Sequence, residues 1–402
     1  MIMSFVAIAV DGGGLLEQRR HAQATADAAA LAAAESLFRN YPANHGLDGQ
    51  GAAANAALSI AAANGYSNDG ATSVVSARTA PQTYSGGPNE GQPLPRGYAE
   101  VAVEYSQKRF FSTIFRTGAI PVQARAVARG QWEPAFVGIH VLDLHEPSAL
   151  RATGGGTGIV RGGAAVIVNS DAPDAAVTTG GSSLEADTFA ITGGFSGGGF
   201  VGDVNTGTPP QPDPLRHIPQ PNAGNYVQQS SGPKHFSNGN RTISPGIYRG
   251  GISITGQANV TMLPGIYYIS GGGFSMTGQG NLTANGVMIF NDPKSSSDVV
   301  KISGSNGGSV TMTPPTSGTY KGLTLFQDRS ADQTMTISGN GSFHVTGTFY
   351  TANGLLTVTG NGAGRIGSQY VSRLLDINGG GGLGIDYDPD QVIPRRVLGL
   401  VE

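Results

Sequence analysis

Cysteine is absent from the 402 residues. That excludes disulfide frameworks and thiolate-ligated zinc or iron–sulfur sites. Charge is scarce as well: Asp, Glu, Lys and Arg make up 13% of the chain, about half the share of an average globular protein. Only five residues are lysine, thin for a cytosolic enzyme surface. A net charge of −3 leaves no electrostatic footprint for a dedicated nucleic-acid binder, so no nucleic-acid partner is expected. Long hydrophobic runs are lacking too. Residues 1–10 are apolar apart from Ser4, and ten residues fall well short of the roughly 20 that cross a bilayer. No basic stretch precedes them, so they do not read as an intact secretory signal. What the chain has in quantity is glycine, 63 residues, with 23 prolines. Low charge with abundant Gly, Ser, Thr and Asn suits a repetitive, β-rich, extracellular protein.

Residues 15–38 (LLEQRRHAQATADAAALAAAESLF) read as one long helix, because alanine is the best helix former. Three consecutive glycines at 12–14 cost a helix interior on the order of 3 kcal/mol relative to alanine, so a break is expected there unless a partner packs against them. The apolar start reads either as part of a membrane or filament-core helix or as an ordinary buried helix start. The alanine face suits close helix–helix approach, or equally a helix lying on its own sheet. Residues 41–135 are mixed. A short second helix is expected over 52–63, stopped at Asn64-Gly65. Alternating strands are expected at 101–105 and 120–128, with an apolar helical turn at 110–115. Together these make a small α+β domain carried on a long helix.

From about residue 136 the helical period vanishes and a repeat appears. Ser244-Pro245-Gly246-Ile247-Tyr248 recurs as Leu263-Pro264-Gly265-Ile266-Tyr267, and Ile254-Thr255-Gly256-Gln257-Ala258-Asn259 recurs as Met276-Thr277-Gly278-Gln279-Gly280-Asn281. Related versions lie at 302–306, 337–340 and 358–361, with an earlier copy at 191–193. The glycines of these triplets are spaced by 22, 26, 35 and 21 residues. Short strand-like runs between Gly/Asn corners at that period predict a parallel β-helix, with a β-sandwich as the competing fold. The glycines are expected to supply positive φ at corners, and the asparagines left-handed corners or stacked ladders. The 35-residue step predicts an extra coil or a loop around 313–332. Residues 209–221 (PPQPDPLRHIPQP) cannot be a central strand and predict an extended strap over the solenoid. The expected organisation is a pilin-like helix at 1–40, the α+β domain at 41–135, the β-helix at 136–380 with its strap at 209–221, and a tail at 381–402.

Two sets of residues resemble a known family. Val10-Asp11-Gly12-Gly13, Arg19-Arg20 and Ala26-Asp27-Ala28-Ala29-Ala30-Leu31-Ala32 resemble the N-terminal module of TadE/TadG-like pilus-assembly proteins, and residues 97–129 resemble the strand pair that follows it. The Gly-rich repeats are similar to extensions of larger TadG-like proteins through "SPGIY" (244–248), "DPL" (213–215) and "FQDRS" (326–330). The resemblance implies a pseudopilin-like surface protein associated with Flp/Tad-type pili. The family's basic leader does not precede residue 1, so Met1 is expected to be a processed start; Phe5 stands where prepilin-peptidase products usually carry glutamate. The function expected is a structural subunit of a filament built through the N-terminal helix, with copies of itself as partners and the β-helix displayed outward. A membrane-anchored accessory or tip adhesin of the pilus machinery, with surface glycans as ligands, is the alternative.

β-Helices also carry polysaccharide-active enzymes, which need clustered carboxylates with a basic residue. The acids here are scattered: Asp171, Asp174, Glu185, Asp187, Asp203, Asp213, Asp292, Asp298, Asp328, Asp332 and Asp376. No catalytic, cofactor or metal residue is therefore nominated. Asp386, Asp388 and Asp390 resemble the start of a calcium loop, but neither the glycine nor the bidentate glutamate follows, so solvated tail chemistry is expected. His140 and His145-Glu146 lack zinc-helix spacing and are expected as satisfied surface or junction residues. Asp328-Arg329 predicts a local ion pair or turn. The stretches 154–163 and 193–202 lack the strand–glycine–helix context of a phosphate loop. Tyr248, Tyr267, Tyr268, Phe274, Phe290, Phe326, Phe343, Phe349 and Tyr350 predict core stacking, or else an exposed ladder that binds glycans.

Overall fold

The computed structural model describes residues 2–110, 112–114, 117–133, 136–304, 308–340, 342–361, 364–379, 383–393 and 395–402. The chain forms two compact units, one made of Met1–Glu133 with Pro394–Glu402 and the other of Pro134–Ile393.

The first unit is an α+β fold. Helix α1 runs over Ile2–Asn44, about 65 Å at 1.5 Å per residue. It does not break at residues 12–14. A Cβ at any of the three glycines would meet nothing within 4 Å, so among the described residues nothing packs closely on them. Instead the helix propagates cooperatively from a docked C-terminal half, which offsets the cost of the glycines. That half carries Ala22, Ala26, Ala29, Ala30, Ala33 and Leu37, spaced three and four apart and almost wholly buried. They pack on helix α2 (Ala52–Ala63) through Ala53, Ala57 and Ala61, and on the sheet through Val101, Val103, Val122, Ala124, Ala126 and Ala128. The alanine face therefore lies on its own sheet. Asp48 caps α2 by accepting from the Ala53 and Ala54 amides at 3.0 and 2.9 Å, satisfying donors that the helix leaves open.

The sheet is antiparallel, in the order Ser73–Thr79, Tyr98–Gln107, Ile120–Glu133, Arg395–Leu400. Of these, the first strand was not legible from alternation, and the apolar turn at 110–115 is a 3-10 turn at Ser112–Ile114. Residues 381–402 do not form a simple tail: Leu383–Asp386 is a strand of the solenoid, and Arg395–Leu400 is the edge strand of this small sheet. The pairing Ala128↔Leu400 closes a separation of 272 residues, which local patterning cannot reveal. The solenoid is thus an insertion between two strands of the α+β unit.

The second unit is a parallel β-helix with three faces. Ile254, Met276, Ile302, Ile337, Val358 and Ile377 stand in register on successive coils. Ile302 pairs directly with Ile337, so the 35-residue step is one coil enlarged by loops and contains no extra coil. A Cβ on Gly280 would lie 1.8 Å from the Ala258 carbonyl oxygen of the neighbouring coil, and one on Gly278 would lie 2.4 Å from that of Gly256. Close approach between coils, more than positive φ, explains these glycines. The asparagines form a ladder: Asn259 Nδ2 donates to Asn240 Oδ1 at 3.0 Å and Asn281 Nδ2 to Asn259 Oδ1 at 2.8 Å. None of the three adopts the left-handed conformation.

The coils do not stack in simple chain order. The first, Val137–Val141 and Leu150–Thr153, pairs in parallel with the last, Gln369–Asn378. From there the chain winds outward to Phe200–Thr206, crosses to Gln228–Ser230 at the opposite end, and winds back to the first coil. The proline-rich segment makes the crossing.

Candidate functional site: the strap clamp and the N-terminal helix

Nine aromatic residues of the repeat divide between two surfaces of the strands, because side chains alternate along a strand. Tyr248, Tyr267, Phe274, Phe343 and Phe349 point into the central core. Tyr267 donates to the carbonyls of Ile243 and Leu263 at 2.8 and 3.0 Å, and Tyr248 to Ser244 at 2.7 Å, which explains the recurring Pro-Gly-Ile-Tyr element. Burial pushes the Tyr248 hydroxyl up to about 12. Tyr268, Phe290, Phe326 and Tyr350 point the other way and form an outer row, ring centroids 5.0, 5.2 and 5.1 Å apart.

That outer row is covered. Leu215 and Ile218 of the strap are buried against it, and Tyr268, the most accessible of the four rings, is only 8% exposed. Arg329 clamps the strap from above. Its Nη2 donates to the carbonyls of Leu215 and Ile218 at 2.8 and 2.7 Å, and its Nε donates to the Tyr350 hydroxyl at 2.8 Å. The guanidinium lies 5.3 Å from the ring centroids of both Phe326 and Tyr350. The Tyr350 hydroxyl in turn donates to Asp213 Oδ2 at 2.6 Å. Burial, with Asp213 beside it, raises the tyrosine pKa. The "DPL" and "FQDRS" elements are therefore two halves of one clamp. Asp328-Arg329 opens the expected turn, with the Ala331 amide donating to the Asp328 carbonyl, and is not an ion pair: Asp328 accepts from the Ser330 amide and hydroxyl, while Arg329 crosses to the strap. Farther along, Asn169 fixes Gln211 through paired bonds of 2.7 and 2.9 Å.

His140 lies beneath this end of the strap and is 2% exposed. Its Nε2 is buried without a hydrogen-bond partner, which corrects its expected placement as a satisfied surface or junction residue. Burial lowers its pKa, against the opposing influence of Asn169 and Asp213. His145 is exposed and lies 3.1 Å from Asp171.

The acids of the solenoid are engaged separately. Arg151 forms a two-point bond with Asp376 at 2.9 and 2.6 Å. Asp298 accepts from the Lys294 and Ser295 amides, and Asp292 pairs with Lys294 at 2.7 Å. Asp386 is held by Arg161 at 3.2 Å and Arg365 at 2.6 Å, and Asp388 accepts from the Asp390 amide and the Gln391 side chain. Asp386 and Asp388 thus serve different partners. Among the described residues no group of three or more His, Asp or Glu is placed to hold a metal ion.

In the first unit, Glu100 is buried and accepts from Arg125 at 2.5 Å and from the Ser85 amide at 2.7 Å; Arg125 also reaches Glu402 at 2.5 Å. This network ties Glu402 to the sheet. Along α1, Ala22 is the first buried residue described, whereas Leu16 is 61% exposed. Gln18 and His21 contact the Tyr66 hydroxyl at 2.9 and 3.0 Å, and Asp11 accepts from the Ser112 amide at 2.8 Å. Among the described residues no helix is long and apolar enough to cross a membrane.

Residues 1–36 match the family model described as putative Flp pilus-assembly TadE/G-like. No curated protein and no solved structure matches the chain. The family match covers most of α1 and supports a role related to Flp/Tad pili, with the cell surface as the corresponding location.

Proposed function

We propose that this protein is a structural subunit of a surface filament, assembled through α1, with the β-helix displayed outward. The observation that carries the reading is the coincidence of the pilus-assembly match, residues 1–36, with a continuous helix beginning at Ile2 in which Ala22 is the first fully buried residue among those whose side chains are described. The preceding turns include residues 2–10, apolar by sequence apart from Ser4, and neighbouring copies would give those side chains apolar contacts. At ~25 cal/mol per Å2, a few hundred Å2 buried per neighbour contributes several kcal/mol, repeated along the fibre. The function is assembly and display, without turnover. Asp213, Asp292, Asp298, Asp376 and Asp386 are each held by hydrogen bonds or ion pairs within the solenoid, which favours that reading over a polysaccharide-active enzyme.

Deletion of residues 1–14 tests it. The deletion is expected to remove filaments of this chain from sheared surface material while the protein stays folded and is still produced. Filaments that persist in that strain contradict a helix-driven core. A low, fixed copy number per fibre would instead identify an accessory or tip component of the pilus machinery.

A further inference from the structure

The solenoid has two uncapped ends. At the first, Phe195–Ser196 and Phe200–Thr206 pair only with the coil beneath them. At the second, Gln228–Ser230, Lys234–Phe236 and Asn240–Ile243 pair only with Gly246–Arg249, Ile252–Ile254 and Asn259–Met262. Among the described residues no further strand lies on the outer edge of either set. Repeat proteins ordinarily close such ends with polar capping repeats, and an open strand edge is a template for strand addition. Among the described residues neither end is covered: Phe195 is 42% and Val201 52% exposed at the first, and at the second His235, Asn240 and the cations Lys234 and Arg241, which stand in register with buried Ile252 and Val260, are exposed.

We propose that these ends stack head to tail between copies of this chain. Geometry supplies the first reason. All strands of the solenoid run parallel on the same three faces. Laying the second end of one copy on the first end of another therefore continues each sheet: Gln228–Ser230 over residues 203–206, Lys234–Phe236 over Phe195–Ser196, and Asn240–Ile243 over residues 200–201. The core supplies the second. Phe200 and Val204 at one end, and Phe236 and Ile243 at the other, pack on the terminal layers of one continuous core and are only half-buried. Stacking would join the two cores.

Charge supplies the third reason and selects the pairing. Residues 183–206 carry Glu185, Asp187 and Asp203 and no lysine or arginine; residues 228–243 carry Lys234, Arg241 and His235 and no acid. Like ends repel and opposite ends attract. The contact is heterologous and does not close, so it adds copies in a line. It uses residues of the solenoid alone and is independent of assembly through α1.

The absence of cysteine makes a clean test. Ser196→Cys and His235→Cys lie on the strands that would meet, and both positions are exposed. Mixed in equal amounts as full-length chains and oxidised, the two variants are expected to give a disulfide-linked mixed dimer at least tenfold above either self-linked dimer. The yield should fall with added salt. Adding Lys234→Glu and Arg241→Glu to the His235→Cys chain should abolish it, and adding Glu185→Lys and Asp203→Lys to the Ser196→Cys partner should restore it. Because all of these chains keep α1 intact, the differences among them read only the solenoid ends. Equal yields of mixed and self-linked dimers, or no cross-link at any concentration, would overturn the proposal. So would a yield indifferent to the charge reversals in chains whose circular dichroism is unchanged.

Discussion

Replacing Arg329 with alanine should release the strap while leaving the solenoid beneath it folded. The side chain gives two charge-assisted hydrogen bonds to strap carbonyls and stacks between two rings. Bonds to a charged donor are worth about 1.5 kcal/mol each at the low end, and a half-buried cation–π contact adds about 0.5–1 kcal/mol. Allowing for non-additivity, docking of the strap should weaken by about 3 kcal/mol, a factor of about 100 in the open population. Arg216 supplies the reporter. It is exposed but sits between buried Leu215 and Ile218, so trypsin can cleave after it only when the strap lifts. When opening and closing are fast, cleavage tracks the open population. Cleavage at Arg216 should therefore accelerate about 100-fold in Arg329→Ala. Arg329→Lys should behave nearly as badly, since an ammonium cannot bridge two carbonyls and stack at once. A rate within threefold of the parent would refute the clamp.

Other outcomes follow from the same structure. Gly130→Ala places a Cβ 1.9 Å from the Ala34 carbonyl oxygen of α1; it should cost the α+β unit more than about 2 kcal/mol, read as a lowered denaturant midpoint. Glu100→Ala leaves the half-buried Arg125 with only Glu402 and the Ser85 amide without its acceptor, and should cost about 2 kcal/mol by the same measurement. His140 has its pKa lowered by burial in the folded state, so the stability it confers is complete above its unfolded pKa and is lost as pH falls through and below about 6.5. Arg216 cleavage should accelerate over that window in the parent chain and not in His140→Phe.

Periodicity made the coarse architecture legible. The triplets at 254–256, 276–278, 302–304, 337–339 and 358–360 mark positions that do stand in register, whereas Ile191 of the expected earlier copy pairs with Val168 on another face, and the alanine spacing marks the face of α1 that is buried. Other features depend on pairings that no local pattern encodes. Val137–Val141 finds its neighbour at the other end of the solenoid's sequence, in Gln369–Asn378, and Arg395–Leu400 returns to Ile120–Glu133. Gly12, Gly13 and Gly14 misled because intrinsic propensity yields to the cooperativity of a long docked helix. Arg329 was missed because its partners are more than a hundred residues away. Its signal was present all the same, in the "DPL" and "FQDRS" elements, whose chemistry a strap over aromatic rings explains. The division of Tyr267 and Tyr268 between core and outer row follows from alternation alone, but that the outer row is covered depends on where the prolines lie.

The most direct test is cryo-electron microscopy of filaments sheared from the native cell surface, with mass spectrometry of their subunits. The account predicts fibres composed mainly of this chain, with α1 from successive copies packed in the fibre core. Fibres whose core is another protein, or this chain recovered only as scattered single molecules, would contradict it.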